Sequence, residues 1–196
     1  MKLDIVITGV GGQGAVLASR VIAQTAMAKG YQVRTSETIG MAQREGPVIS
    51  HVRIGDDLTG ALIPDRGADI LLSFELAETA RGLSKLKPEG TIIANTAQIF
   101  PVSVPLGISS YQTETILAAL QRPQGKTILL DASRAALEAG NAKTVNVVLL
   151  GVLAGMSGLP FTAEDLLASI LKQVPEKVRE VNRKAFEIGQ RLAEVS

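Results

Sequence analysis

The chain has 196 residues, enough for one domain with a sizeable core, and its 46% hydrophobic but only 3% aromatic content describes a core of aliphatic side chains. A formal net charge of +1 and the scarcity of aromatic residues argue against general nucleic-acid binding. The absence of cysteine excludes disulfides and cysteine-ligated iron–sulfur or zinc sites within the chain. With no secretory signal or membrane-spanning run visible, we expect a cytoplasmic protein without membrane contacts.

A glycine-rich turn lies between the first strand and the first helix. Residues 3–7 form an apolar, β-branched run typical of a buried strand, and apolar residues then recur at helical spacing until Gly30. The turn between them, residues 9–14, reads Gly-Val-Gly-Gly-Gln-Gly and matches the G-x-G-x-x-G pattern. Its unpaired N–H groups and the helix dipole favour an anion, usually phosphate.

The candidate phosphate-binding residues in this turn are Gly9, Gly11, Gly12, Gln13 and Gly14. The same glycines would also serve a tight turn and close packing without any ligand, so both interpretations stay open. The Gln13 amide could donate to a phosphate or cap a neighbouring loop.

The next segment predicts a second strand at residues 32–36, paired in parallel with the first through a right-handed crossover. Glu37 follows where an acidic ribose ligand of a dinucleotide would lie. The aperiodic residues 37–47 predict a loop at the carboxyl edge of the sheet, and this loop contributes Gln43 and Arg44 as further candidate ligands.

Arg44 and Arg53 could together bind a phosphate or carboxylate. The alternative is a surface pair of Arg44 with Glu45 and an Arg53 that covers the sheet edge. His51, the only histidine, lies on an alternating strand and is more typical of a structural residue than of a catalytic one. Asn146 interrupts an apolar run and must either tie a loop or line a pocket.

The remaining pattern predicts alternating strands and helices and then a helical C-terminal part. We expect a strand at 48–54, a turn at 56–57 and a short hairpin partner at 58–63. Further strands are predicted at 69–74, 90–95 and 127–130, a loop at 99–110, and helices at 75–86, 113–120, 132–138, 145–156 and 166–173. The fold class is therefore a three-layer α/β/α arrangement with a mixed, mostly parallel sheet, formed by residues 1–196 as a single domain.

The final helix begins at Pro175 and carries one apolar stripe at alternating spacings of four and three residues. The stripe either packs on the protein's own sheet or docks on a partner chain. No nucleophile–base pair, metal-ligand cluster or thiamin-diphosphate motif is visible, so we predict no catalytic residue and no metal site within this chain.

Three motifs together resemble one family, the gamma subunit or domain of 2-oxoacid:ferredoxin oxidoreductases. They are residues 5–14, Gly-Met-Ala-Gln-Arg at 40–44, and Ser-His-Val-Arg-Ile-Gly at 50–55. The similarity covers essentially the whole chain and is greatest to the branch that acts on indolepyruvate.

The resemblance implies a complex that oxidatively decarboxylates arylpyruvates to acyl-coenzyme A and reduces ferredoxin. Thiamin diphosphate and iron–sulfur clusters would then lie on a large partner subunit, and this chain would hold coenzyme A or dock that subunit. An isolated chain would be inactive and could form a homodimer. Glu45 and Pro47 depart from the family pattern, since a carboxylate adds negative charge there and proline stiffens the turn. A free-standing NAD(P)-binding oxidoreductase is the alternative.

Overall fold

A computed structural model describes residues 1–38, 46–121 and 124–194. In these ranges six strands form one sheet, and seven α-helices pack around it. The strands are β1 (Lys2–Val10), β2 (Val33–Glu37), β3 (Pro47–Gly55), β4 (Ala68–Ser73), β5 (Leu86–Asn95) and β6 (Thr127–Leu130). The helices are α1 (Ala15–Ala28), α2 (Leu76–Gly82), α3 (Thr113–Leu120), α4 (Ala132–Ala139), α5 (Val145–Ala154), α6 (Ala163–Gln173) and α7 (Arg179–Glu194).

The sheet is mixed and mostly parallel, as predicted. Its strand order is β2-β3-β1-β4-β5-β6, in which β3 runs antiparallel to both of its neighbours and the other pairs are parallel. The expected parallel pair of β1 with β2 is wrong, because β3 lies between them. Val52 and Ile54 of β3 are buried and suit an inner strand, whereas Arg34 and Thr35 of β2 are exposed and suit an edge.

Helices cover both faces of the sheet, which confirms the three-layer architecture. Because side chains alternate along a strand, Ile5 and Ile7 face the larger core, whereas Val6 faces the smaller one. Helices α1, α4, α5, α6 and α7 contribute to the larger core, and α2 and α3 contribute to the smaller one. The four parallel strands therefore end at one common edge, where the connections to the helices begin.

Most predicted elements are present, with shifted boundaries. The strand β6, the helix α3 and the loop between Ile99 and Ser110 match the prediction. Helix α6 begins with a capping box formed by Thr162 and Asp165. Helix α2 ends early, at Gly82, and β5 begins early, at Leu86. The expected hairpin partner at 58–63 is wrong: this segment is not a strand.

The C-terminal helix α7 packs on the chain itself, but its neighbour is α5 rather than the sheet. Ala185 and Ile188 of its apolar stripe are buried in the larger core together with residues of α5. The two helices approach closely at Gly151 and Gly189, where a Cβ on either glycine would lie about 2 Å from a carbonyl oxygen of the other helix. No helix in the described ranges has the length and apolar character needed to cross a membrane.

Candidate functional site

A cleft of about 500 Å³ lies beside the glycine turn, at the carboxyl edge of the parallel strands. The turn after β1 supplies one part of its lining, and Asn95 at the end of β5 and Ser133 at the start of α4 supply another. Lys143 and Asn146, just before and within α5, complete the polar part. Open α/β sheets bind their ligands at this edge, where strands feed into helices on opposite faces.

The glycines of the turn have different structural tasks. Gly12 and Gly14 line the cleft and have left-handed backbones, with φ values of 95° and 90°. A Cβ on Gly9 would lie 2.9 Å from Cβ of Phe74, so Gly9 permits close packing. The amide of Gly11 donates to the carbonyl of Gly46 at 2.9 Å and holds the end of the following loop. The structure thus brings Gly12, Gln13 and Gly14 to the cleft, whereas Gly9 and Gly11 contact Phe74 and Gly46.

Gln13 braces the turn against β4. Its side-chain oxygen accepts from the Val10 amide at 2.7 Å, and its side-chain nitrogen donates to the Phe74 carbonyl at 3.1 Å. Asn95 Nδ2 donates to the same carbonyl at 3.2 Å. The ends of β1, β4 and β5 are therefore held together by two side-chain amides that also line the cleft.

Asn146 contacts the turn from the opposite side, so its pocket-lining alternative agrees with the structure. A Cβ on Gly14 would lie 3.0 Å from Asn146 Nδ2, so a larger residue at position 14 would require this amide to shift. Asn146 Oδ1 accepts from the Val147 amide at 3.0 Å. The left-handed φ of residue 14 favours glycine, and the tight contact with Asn146 adds to this preference.

The electrostatics of the cleft favour an anion. Gly14 is the N-cap of the 14-residue helix α1, and within the described ranges no side chain caps this helix. Its first N–H groups and its dipole therefore present partial positive charge at the turn. Lys143, exposed at the same cleft, is the one charged residue among the described residues that line it.

Sequence reasoning missed Lys143, Asn95 and Ser133. The only local signal for Asn95 is a polar residue at the carboxyl end of a buried strand, and the other two lie in helix starts without a motif. Conversely, the predicted ligands Gln43 and Arg44 lie outside the described residues, as does Glu45.

Arg53 does not bind an anion at the turn, so that alternative is wrong. Its guanidinium is buried and donates to both carboxylate oxygens of Asp4, at 2.8 and 3.3 Å, and to the carbonyls of Gly60 and Leu62. Asp4 lies five residues before Gly9 on β1, which is about 17 Å along the strand. Arg53 therefore fixes the loop after β3 at a distance from the cleft.

His51 is a buried structural residue as well. Its Nδ1 accepts from the Ile63 amide at 3.3 Å, a contact that requires this nitrogen to be unprotonated. Burial lowers the pKa of His51 below its ordinary value of 6.5, and the positive charges of Lys85 and Arg53 lower it further. In the described part of the chain no group of three or more His, Cys, Asp or Glu side chains could hold a metal ion.

The state of His51 predicts a pH dependence of stability. Because the unfolded chain binds a proton near pH 6.5 and the folded chain does so only at lower pH, the free energy of unfolding should fall as the pH drops below about 6.5. Urea unfolding at a series of pH values measures how the free energy of unfolding changes with pH. This change should be smaller in His51→Asn than in the wild type. Equal slopes for the two proteins would contradict the assignment.

Glu37 is engaged by the protein itself. Its Oε1 accepts from the Ser19 hydroxyl of α1 at 2.8 Å. Glu37 also ends an edge strand that β3 separates from β1, whereas a dinucleotide-binding fold places the acidic strand next to β1. This arrangement does not favour the NAD(P)-binding alternative.

The fold and the cleft define a class: an α/β protein with a nucleotide-type glycine turn beside a cleft at the carboxyl edge of its sheet. The profile of the pyruvate ferredoxin/flavodoxin oxidoreductase family matches residues 4–192. The chain therefore belongs to this family and is an oxidoreductase subunit, which confirms the resemblance predicted from the motifs.

Individual relatives agree with this assignment. The chain is 43% identical to the indolepyruvate oxidoreductase subunit IorB of Pyrococcus horikoshii and 42% identical to that of Thermococcus kodakarensis; each alignment covers 98% of this chain and 96% of the relative. Among solved structures, the keto/oxoacid ferredoxin oxidoreductase gamma subunit of Geobacter sulfurreducens is similar, with a TM-score of 0.73, 25% identity and 99% coverage of both chains.

Proposed function

We propose that this chain is the small subunit of a 2-oxoacid ferredoxin oxidoreductase that acts on indolepyruvate and related arylpyruvates. Within the complex it binds the phosphate-bearing part of coenzyme A in the cleft beside the glycine turn. The observation that carries the proposal is the convergence of an uncapped helix start, two left-handed glycines and Lys143 on one cleft. The identities to indolepyruvate oxidoreductase subunits support the substrate class.

The lining suits the nucleotide part of coenzyme A. A phosphate can approach the helix start closely because Gly12 and Gly14 carry no side chain, and backbone N–H groups there would donate to its oxygens. Lys143 would add a full positive charge, and the amides of Asn95 and Asn146 offer polar contacts to ribose or adenine. The volume of the cleft lies within the usual range for small-molecule sites, about 300–1,000 Å³.

The other candidate ligands keep supporting roles in the proposal. Gly9 and Gly11 would shape the turn, and Gln13 would hold it against β4 with its amide. Gln43 and Arg44, which lie outside the described residues, are proposed as further ligands of the same molecule. Thiamin diphosphate and iron–sulfur clusters would be held by a large partner subunit, because this chain has no cysteine to ligate a cluster. Thiamin diphosphate supplies the decarboxylation chemistry when it is bound there.

A steady-state assay of the complex tests the proposal. The chain is co-expressed with the large subunit, and oxidation of a panel of 2-oxoacids is measured with ferredoxin as acceptor and with varied coenzyme A. Arylpyruvates should give the highest kcat/KM, in a reaction that requires coenzyme A. Turnover of any substrate by the isolated chain would contradict the proposal.

Lys143→Gln should raise the KM for coenzyme A about tenfold and leave kcat almost unchanged, because a lost phosphate contact weakens ground-state and transition-state binding alike. Lys126→Gln is the matched control, since Lys126 is exposed at the amino end of β6, on the opposite edge of the sheet. An unchanged KM for coenzyme A in both variants would contradict the proposal that coenzyme A binds in this cleft.

The hydrogen bonds of Gln13 favour a second candidate function, in which the turn only stabilises the interface with the large subunit. Both ends of this amide are used within the chain. Under this alternative, Lys143→Gln would leave the coenzyme A dependence unchanged, and Gln13→Ala would weaken assembly of the complex.

A further inference from the structure

The connection between β5 and α3 exposes an unusual concentration of apolar side chains. Residues 99–111, here called the arm, belong to a stretch from Gly90 to Thr113 that contains no charged residue, although 20% of the chain is charged. Five large apolar side chains of the arm are exposed, by 37% to 76% of their surface. They are Ile99, Phe100, Val102, Leu106 and Ile108.

The arm is held in place by a buried carboxylate. Glu75 is only 1% exposed, and its side chain accepts from the Ile99 amide at 3.1 Å, from the Tyr111 hydroxyl and from the Glu78 amide. Both ends of the arm are therefore fixed to the start of α2. Burial and the hydrogen bond to Glu75 raise the pKa of Tyr111, so this hydroxyl stays a donor at any physiological pH.

Contacts within the arm also order it. The rings of Phe100 and Tyr111 pack edge to face with centroids 5.1 Å apart. The Ser103 carbonyl accepts from the Ile108 amide at 2.9 Å, and the hydroxyls of Ser103 and Ser109 lie 2.7 Å apart. An ordered segment loses little conformational entropy when a partner covers it, which favours binding.

The arm begins close to the edge of the cleft. It leaves β5 shortly after Asn95, which lines the cleft, and its anchor Glu75 directly follows Phe74, whose carbonyl binds Gln13 and Asn95. A partner seated on the arm would therefore border the cleft. It could then bring its own reactive groups to whatever binds there.

We propose that the arm docks the chain onto the large subunit that carries the thiamin centre, by inserting Val102, Leu106 and Ile108 into an uncharged, apolar groove of that subunit. This inference rests on the proposed function. A charged groove would not suit the arm, because its charges would lose water and find no counter-charge from residue 90 to 113. A second copy of this chain is the other occupant that an uncharged arm would fit. The large subunit is favoured because a partner seated on the arm borders the cleft, and the experiment below distinguishes the two occupants.

Leu106→Asp combined with Ile108→Asp tests the arm. The tagged full-length chain is co-expressed with the large subunit, and its affinity for that subunit is measured by titration. We expect binding at least about fifty-fold weaker, because a carboxylate would be buried in the groove in place of each apolar anchor. The melting temperature of the variant should equal that of the wild type, since both side chains are more than half exposed.

Leu137→Asp is the matched control, because Leu137 is 64% exposed but lies on α4. Normal affinity of this control beside weak binding of the arm variant supports the inference. Equal affinity of wild type and arm variant overturns the inference and leaves the proposed function intact, whereas failure of the wild type to bind any large subunit overturns both. If the wild type is a homodimer and the arm variant is a monomer that still binds the large subunit, the arm contacts a second copy of this chain. This result also overturns the inference.

Discussion

Arg53→Met should lower the free energy of unfolding by about 3–5 kcal/mol, the usual cost of breaking a buried ion pair from one side. Arg53 and Asp4 are 6% and 1% exposed, so removal of the guanidinium leaves the Asp4 carboxylate buried without its main partner. The neighbouring Lys2 ammonium, 3.4 Å from Asp4, is largely exposed and compensates little. The carbonyls of Gly60 and Leu62 lose a donor at the same time.

Chemical denaturation of the purified chain measures this loss, and Arg34→Met provides the control. Arg34 is exposed and donates to the carbonyl of Leu58, so its replacement should cost less than about 1 kcal/mol. The double variant Asp4→Asn/Arg53→Met should lose less free energy of unfolding than the two single variants lose in sum, because it buries no unpaired carboxylate. Additive losses would show that the two side chains do not interact.

Local signals were sufficient to predict the elements that surround the site. The β-branched run before Gly9, the glycine spacing and the helical period after Ala15 each depend on residues close in sequence, and they place β1, the turn and α1 correctly. The capping box of Thr162 and Asp165 is equally local. These parts of the fold follow from backbone preference and amphipathic period, which a short window contains.

The order of the strands could not be predicted in this way. The pattern of β3 shows that it is a strand, but its position between β1 and β2 depends on pairing across the chain, such as Ile5 with Val52. The partner of Arg53 is likewise 49 residues away in sequence. A guanidinium next to a glycine-rich loop indicated an anion ligand, whereas the fold uses it for a carboxylate of its own first strand.

The candidate site also contains some residues that the sequence predicts and others that it does not. Gly12, Gln13 and Gly14 are predictable because a contiguous motif carries them, and Asn146 is predictable because it is a polar residue within an apolar helix. Lys143 has no such signal, since an exposed lysine before a helix is common and only the folding of α5 against the turn places it at the cleft. These residues lie far apart in sequence and meet only at the edge of the folded sheet. Their shared position can therefore be recognised only from the structure.

The second large effect is expected at the crossing of α5 and α7. Gly189→Ala should lower the free energy of unfolding by about 2–3 kcal/mol, the upper part of the usual range for overpacking, even though alanine favours a helix by about 1 kcal/mol. The new Cβ would lie 2.1 Å from the Val148 carbonyl oxygen and 3.0 Å from Cα of Gly151. Both obstacles are backbone atoms, so relief requires α7 to move away from α5 and to loosen the burial of Phe186.

Thermal and urea unfolding measure this effect, with Gly60→Ala as the control. A Cβ on Gly60 meets no atom within 4 Å, and this substitution should change stability by less than about 0.5 kcal/mol. Helix α5 also carries Asn146 against Gly14, so the part of the separation that shifts α5 should raise the KM of the complex for coenzyme A as well. An alanine methyl group cannot occupy the space of a carbonyl oxygen. A variant as stable as the wild type would therefore contradict the close approach of α5 and α7 at Gly151 and Gly189.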